Sequence, residues 1–419
     1  MSGILTAALA LLLALLGAPV FALLGALGLW LFHAAGIDGS AVIVEFNRLA
    51  SLPALIAIPL FTFSGFLLAE SRAPKRLLDL ASALFGWVPG GLAVVGLACC
   101  AVFTAFTGAS GVTIIALGGL LYPMLKEQGY PEKFSLGLLT CTGSLGLLFP
   151  PSLPIILYGL VAKISIDKLF LAGALPGLIL LAALSVYSVL AGLRAGVARI
   201  PFSWIALSSA ARAAAWEIPL PFLIIGGIYG GLFTATDAAA VMAFYVLVAE
   251  VFVLRDLSLG DLPDIAVRSM ALVGAILLVL GTALGLTNYL IDAEAPDKLF
   301  AWMHLVVSSK TAFLALLNVI LLAVNMVEIF SAIIIVVPII VPIAAQYGID
   351  PVHLGVIFLL NLEIGYMTPP LGLNLFLSNR RFEEPLPKLY AASFPFWLIH
   401  VAMLIAVTYA PELSLRLLK

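Results

Sequence analysis

The amino-acid sequence predicts an all-α polytopic membrane protein organised as an inverted repeat, with two re-entrant hairpins and two helices interrupted by Pro-Pro pairs. Three observations carry that expectation: apolar runs of spanning length, a Gly and Pro pattern that recurs at a constant offset, and paired prolines inside two of the runs. Hydrophobic residues form 63% of the 419-residue chain and charged residues 10%, whereas soluble domains average roughly 45–50% and 25%. A soluble fold of this length has too little interior to hide so much apolar surface. Lipid must be the solvent for most of it.

The runs long enough to span lie at 4–32, 56–69, 136–162, 169–190, 218–233, 238–254, 270–286 and 394–409. About 20 apolar residues cross a bilayer as a helix, and a helix satisfies its own backbone polar groups in hydrocarbon. The short alternating segments of an outer-membrane barrel are absent. The opening Met1-Ser2-Gly3-Ile4 has neither a basic region nor a small-residue cleavage pattern, so the first run reads as a retained helix. Cys99, Cys100 and Cys141 lie in apolar sequence at spacings that suit neither zinc nor a disulfide framework, and read as small packing residues. A net charge of −2 gives no sign of a nucleic-acid partner.

The basic residues divide unevenly. Thirteen, among them Arg72, Lys75, Arg76, Lys126 and Lys133, fall in one set of connections, and seven, among them Arg48, Lys163, Lys168 and Lys310, in the other. The richer set should face the cytoplasm. Two of its loops, 70–90 and 126–133, flank the apolar stretch 91–125, which must therefore enter and leave on one face as a re-entrant hairpin or as two short spans.

A shift of 219 residues carries Pro123, Gly129, Gly146 and Pro150-Pro151 onto Pro342, Gly348, Gly365 and Pro369-Pro370, with Ile114-Ile115 on Ile333-Ile334. Loop 126–133 of the first copy carries Lys126 and Lys133, whereas the matching loop 345–352 carries no Lys or Arg. Opposite flanking charge on related units implies opposite insertion. Transporters built from inverted repeats place their site at the midplane, where the repeats meet.

Proline lacks the amide donor and clashes with the preceding turn. Paired prolines should unwind both helices in mid-membrane, and freed carbonyls are tolerable there only if they line a cavity or bind an ion. Half-helix C-terminal carbonyls suit Na⁺, and half-helix N-termini suit an anionic substrate.

At these residues a family resemblance emerges along nearly the whole chain. Ile58-Pro59-Leu60-Phe61 with Gly65, the stretch from Phe103 to Gly111, Gly230-Gly231-Leu232-Phe233 with the residues to Ala240, and Thr368-Pro369-Pro370-Leu371-Gly372-Leu373-Asn374 resemble motifs of the large membrane subunit of tripartite ATP-independent periplasmic (TRAP) transporters. The chain departs from that family at Thr113, where an aspartate is frequent, at Ala235 and Asp237, where Pro and Glu are usual, and near Val324-Asn325, where a glycine is common. The resemblance implies an elevator-type transport domain moving against a scaffold, sodium at the hairpin tips, a periplasmic binding (P) protein that delivers the solute, and a separate small membrane (Q) subunit. The implied location is the bacterial cytoplasmic (inner) membrane. The implied organisation is 1–90 scaffold, 91–165 first hairpin and unwound helix, 166–309 scaffold and arms, 310–380 second hairpin and unwound helix, and 381–419 C-terminal helix.

By motif, the first sodium site would draw on Thr104, Thr107, Gly146, Phe149 and Pro151, mostly through backbone carbonyls. The repeat then places a second site around Val324, Gly365, Thr368 and Leu371. For a small organic anion of the carboxylate type, Ser110, Ser144, Ser152, Asn361 and Asn374 are the neutral polar groups within reach of the two Pro-Pro segments. Glu328 and Glu363 are ionisable groups in apolar sequence and thus candidates for coupling. Asp237 follows Thr234 at a helix start, where capping accounts for it. His33, His304, His353 and His400 show no metal spacing and are expected at segment ends or interfaces. Residues 200–216, with Trp204, Arg212 and Trp216, form a short amphipathic segment suited to lie in the interface plane. No organic cofactor and no enzymatic constellation is evident. A proton-coupled transporter using Glu328 or Glu363 stays open as an alternative, and a channel as a second.

Overall fold

The computed structural model describes residues 12–13, 18–199, 201–324 and 329–418. Glu328 lies outside the described residues, as does most of the first apolar run before residue 18. Helices α1 (Val20–Ala34), α2 (Ser40–Ala50), α3 (Ala57–Glu70) and α4 (Ala73–Phe85) precede a hairpin of α5 (Gly91–Thr107) and α6 (Ser110–Glu127). Then come α7 (Glu132–Thr142), α8 (Leu153–Ala162), α9 (Ile166–Ala195), α10 (Trp204–Ala213) and α11 (Pro219–Tyr229). The second half holds α12 (Ala235–Leu247) with a π-helical turn over Val248–Val253, α13 (Leu262–Asp292), α14 (Ala295–Val306), α15 (Lys310–Val324) and α16 (Ile329–Gln346). It closes with α17 (Pro351–Gly365), α18 (Leu373–Phe382), α19 (Leu386–Tyr409) and α20 (Glu412–Leu415). Among the described residues, six helices have the length and apolar character to cross a membrane, or eight if each bent helix pair is one span. The chain is a multi-pass protein of the inner membrane.

Local chemistry sets the element ends. Ser165 opens α9 by accepting the Lys168 amide, and Gly196, at φ +63°, closes it. Asp350 accepts the Val352 and His353 amides at the start of α17, with Pro351 at the first helical position. Thr234 and Asp237 form a capping box on α12, the role expected of Asp237. At the hairpin tip Gly108 takes φ +65° and leaves no room for a side chain, because a Cβ there would sit 2.5 Å from Leu153 Cδ1.

The repeat is present in the backbone and extends beyond its sequence trace. The offset of 219 carries α6, residues 110–127, onto α16, residues 329–346. It carries Gly129 (φ +87°) onto Gly348 (φ +68°), and the cis Pro150-Pro151 bond onto the cis Pro369-Pro370 bond. Upstream, it places α1 on α12 and its π turn, and α3 on the later part of α13. Packing is reciprocal. α1 lies on α13 as α12 lies on α3; α8 meets α16 as α18 meets α6; α9 meets α17 as α19 meets α7. Such mutual exchange of partners is what a two-fold relation between units produces.

The predicted interfacial segment folds as α10, which packs on α4 and leaves Trp204 and Ile205 exposed. His353 lies in the first turn of α17, a segment end as expected, and is buried there against Ser414 Oγ. His400 departs from expectation: it is buried in the middle of α19, where its ring hydrogen-bonds the Phe396 carbonyl.

Candidate functional site

The first break is a bend of 44° between α7 and α8. A 3-10 turn over Leu145–Leu148 and the Pro-Pro pair separate the two half-helices. The C-terminal half of α5 seats against this turn. A Cβ on Gly146 would lie 2.5 Å from Ala105 N and from Thr104 Cβ, and would also overlap the Ala101 carbonyl oxygen. Thr104 Oγ1 donates to the Gly143 carbonyl at 3.1 Å and shares a 2.6 Å hydrogen bond with Thr113 Oγ1. Thr113, singled out in the sequence only as a departure from a motif, is thus a structural partner of the site.

Two hydroxyls at this junction stand out. Thr107 Oγ1 and Ser152 Oγ are buried without a protein hydrogen-bond partner. Their chain neighbours Gly108 and Leu153 pack against one another, so both lie where the hairpin tip meets the start of α8. A buried hydroxyl without a partner costs roughly 1–3 kcal/mol and calls for an explanation such as a water or an ion. Ser110 is buried on the other side of the same tip, Phe149 packs its ring on Gly177, and Pro151 is buried.

The two breaks adjoin. Asn374, at the start of α18, donates through Nδ2 to the Thr140 carbonyl at 3.0 Å and to Ser144 Oγ at 3.4 Å, while its Oδ1 has no partner. Ser144 and Asn374 are therefore together. Asn361 is not with them: it donates to Asn318 Oδ1 at 2.8 Å, and Asn318 in turn donates to Thr408 Oγ1 at 3.0 Å. That chain links α17 to α15 and α19 inside the fold.

The second break differs from the first. Gly365 is buried, but Thr368 Oγ1 donates to the Ile364 carbonyl at 2.6 Å and accepts from Trp397 Nε1 at 3.0 Å. Leu371 is 53% exposed and Val324 partly buried at the end of α15. Under the repeat offset Thr104, Thr107, Ser110, Thr113 and Ser152 correspond to Ala323, Met326, Ile329, Ala332 and Leu371. In the sequence of the second copy, apolar residues thus stand where the first has hydroxyls.

Among the gains in polarity at the second copy, Glu363 stands where Ser144 stands in the first, and Thr368 where Phe149 stands. Glu363 is the one that brings a carboxylate into the second Pro-Pro segment. It is fully buried, neither carboxyl oxygen has a hydrogen-bond partner, and His400 Nε2 lies 3.9 Å away. His400 donates through Nδ1 to the Phe396 carbonyl at 2.9 Å, which leaves Nε2 turned to the carboxyl group. Nothing local in the sequence pairs residues so far apart. Among the described residues no cluster of His, Cys, Asp and Glu could hold a metal ion.

Comparisons with known proteins agree with this architecture. The family described as "Tripartite ATP-independent periplasmic transporter, DctM component" matches residues 6–413. A C4-dicarboxylate TRAP transporter large permease protein DctM of Pseudomonas aeruginosa is 37% identical over 371 residues, covering 87% of this chain and 86% of that protein. An isethionate TRAP transporter permease protein DctMQ of Oleidesulfovibrio alaskensis is 34% identical, over 95% of this chain and 64% of that one. An ectoine/5-hydroxyectoine TRAP transporter large permease of Ruegeria pomeroyi is 33% identical, over 87% and 85%. The crystal structure of the Alcanivorax borkumensis YdaH transporter shares the fold, with a TM-score of 0.65 at 15% identity over 90% of this chain and 89% of that one. This chain belongs to the DctM-component family, the large membrane subunits of TRAP transporters.

Proposed function

We propose that the protein performs sodium-coupled secondary uptake of a small organic anion by an elevator movement of the hairpins and broken helices against a scaffold. The solute arrives on a periplasmic binding protein, and a small membrane subunit enlarges the scaffold. Relatives named for C4-dicarboxylates and isethionate support an anionic solute, and the relative named DctMQ supports the small-subunit partner. The observation that carries the coupling ion is the pair of buried, unpartnered hydroxyls of Thr107 and Ser152 at the hairpin-break junction.

The donor set fits Na⁺. Hydroxyl oxygens and the carbonyls around Gly146, Phe149 and Pro151 are hard ligands, and unwound backbone is where transporters coordinate sodium. When bound, the ion supplies charge that holds the hairpin tip against the start of α8. Around Gly365, Thr368 and Leu371 a second sodium would rely on backbone carbonyls, because Thr368 Oγ1 already has two partners.

The test is thermal unfolding of the purified protein in NaCl, KCl and choline chloride at equal ionic strength. A ligand held only by the folded state adds about 2.7 kcal/mol at a hundredfold excess over its Kd. The parent is expected to gain stability in sodium alone. Thr107→Val, which keeps the shape and removes the orphan hydroxyl, should match the parent in choline and lose most of the sodium gain. Equal melting of the parent in all three salts would sink the sodium reading.

A second reading, proton coupling through Glu363, is favoured by the facing His400 Nε2. The two separate cleanly in proteoliposomes. Under the sodium reading Glu363→Gln keeps sodium-driven uptake. Under the proton reading uptake follows a pH gradient without sodium and fails in Glu363→Gln.

A further inference from the structure

Beside the first break lies a cavity of about 180 Å³ whose chemistry is unlike that of the hydroxyl junction. Its walls include Ala101 and Ala105 of α5, Phe149 and Pro150 of the break, Leu178 of α9 and Ile225 of α11, and no polar side chain lines it. These walls belong to two packed groups. α9 lies on α5 and on the 3-10 turn, whereas α11 packs on α12. The cavity marks the seam between them.

Leu178 lies near the middle of α9, a 30-residue helix long and apolar enough to span. That places the cavity at hydrocarbon depth. Val102 and Leu178, both in its walls, are 38% and 55% exposed, so the cavity opens outward. Ile179 and Phe222, beside the wall residues Leu178 and Pro221, are exposed as well, and the opening is continuous with the lipid-facing surface of an inner-membrane protein. Water has nothing to bond to inside, since a buried water needs two to four polar partners; apolar cavities of roughly 150 Å³ stay dry and admit apolar guests. An empty void forfeits the dispersion contacts of its walls. The apolar matter present at this depth is the lipid tail.

We propose that this cavity is an acyl-chain site: one fatty-acyl chain of a bilayer phospholipid enters between α9 and α11 and packs its end against Phe149 and Pro150. The chain fills the seam and ties α11 to the hairpin and the first break. Phe149, whose ring already lies on Gly177 of α9, gains apolar contact on the cavity side. No contact from the headgroup is required, so the site selects for a tail and not for a charge. The inference is independent of the coupling ion and of the solute.

The test is photolabelling in liposomes with a phosphatidylcholine that carries a diazirine near the end of one acyl chain, mapped by peptide mass spectrometry. Ala98→Phe and Ile225→Phe fill the cavity from α5 and from α11, and either serves if the other fails to fold. Insertion at Ala101, Ala105 and Phe106, which are 3%, 3% and 5% exposed, is expected in the parent and lost in each variant. Insertion at the exposed Phe244 of α12 should persist throughout. A parent labelled only at outward residues such as Phe244 would overturn the site, as would insertion at the three buried residues that survives both fillings. Insertion that vanishes when the small membrane subunit is bound would overturn it too, and assign the cavity to that subunit. Transport is not the readout, so the outcome does not depend on which ion drives uptake.

Discussion

Arg76→Leu is expected to destabilise the protein by about 3–5 kcal/mol, the range for removing one partner of a buried ion pair. The guanidinium, 12% exposed, touches three carboxylates at once: Glu217 before α11, Glu250 in the π turn after α12, and Asp256 in the connection to α13. Its two hydrogen bonds to Glu250 measure 3.0 and 3.2 Å. One cation thus fastens α4 to three later segments, and without it three acidic groups face each other out of water.

The loss should depend on pH with a definite sign. Burial pushes the Glu217 carboxyl above its ordinary range, and the hydrogen bonds and charge of Arg76 pull it back only partly. A carboxyl raised in the folded state binds more protons there than in the unfolded chain, so stability falls as pH rises through that window. With Arg76 gone the opposing pull is gone too. The Arg76→Leu deficit is therefore expected to be largest at neutral and alkaline pH and to shrink on acidification, read as melting temperature across a pH series. Arg76→Lys should recover part of it, since an ammonium keeps the charge and loses the planar fork. A Leu variant that melts with the parent at every pH would show that the cluster holds nothing together.

Gly146→Val is expected to be almost as damaging, for a steric reason. A first carbon at this position already collides with the Ala101 carbonyl, the Ala105 nitrogen and Thr104 Cβ, and backbone cannot rotate away as a side-chain tip can. Overpacking commonly costs about 1–3 kcal/mol and sometimes more. The clash lies on the seat of the hairpin, so the sodium-dependent gain in stability should disappear along with the packing. Gly274→Ala is the contrast: nothing lies within 4 Å of its added carbon, and no loss of either kind is expected. Equal effects from the two substitutions would mean that the seat of α5 on the 3-10 turn is not special.

What was legible in advance follows from chemistry that acts along the chain. Membrane residence shows in composition because lipid accepts only apolar surface. Both helix breaks show because proline fixes its own backbone and lacks an amide donor wherever it stands, and the stretch from Phe103 to Gly111 shows because glycine permits turns that other residues resist. The same residues preserved the repeat between 114 and 151, where the offset could be seen without gaps. In the outer helices the repeat had faded, since apolar side chains of similar volume can replace one another in a packed interface. It returned only as reciprocal packing, α1 on α13 and α12 on α3.

The sequence by itself determined the solvent of this protein, its helical class, the two unwound segments and the family to which it belongs, because each rests on residue type and spacing. The tertiary structure alone decided which distant groups meet. It set Asn361 against Asn318 instead of Asn374, turned His400 to Glu363, gathered three carboxylates around Arg76, and left Thr107 and Ser152 without partners. Those pairings depend on how helices cross, and helix crossing is set by the summed fit of many side chains, which no short stretch of sequence contains.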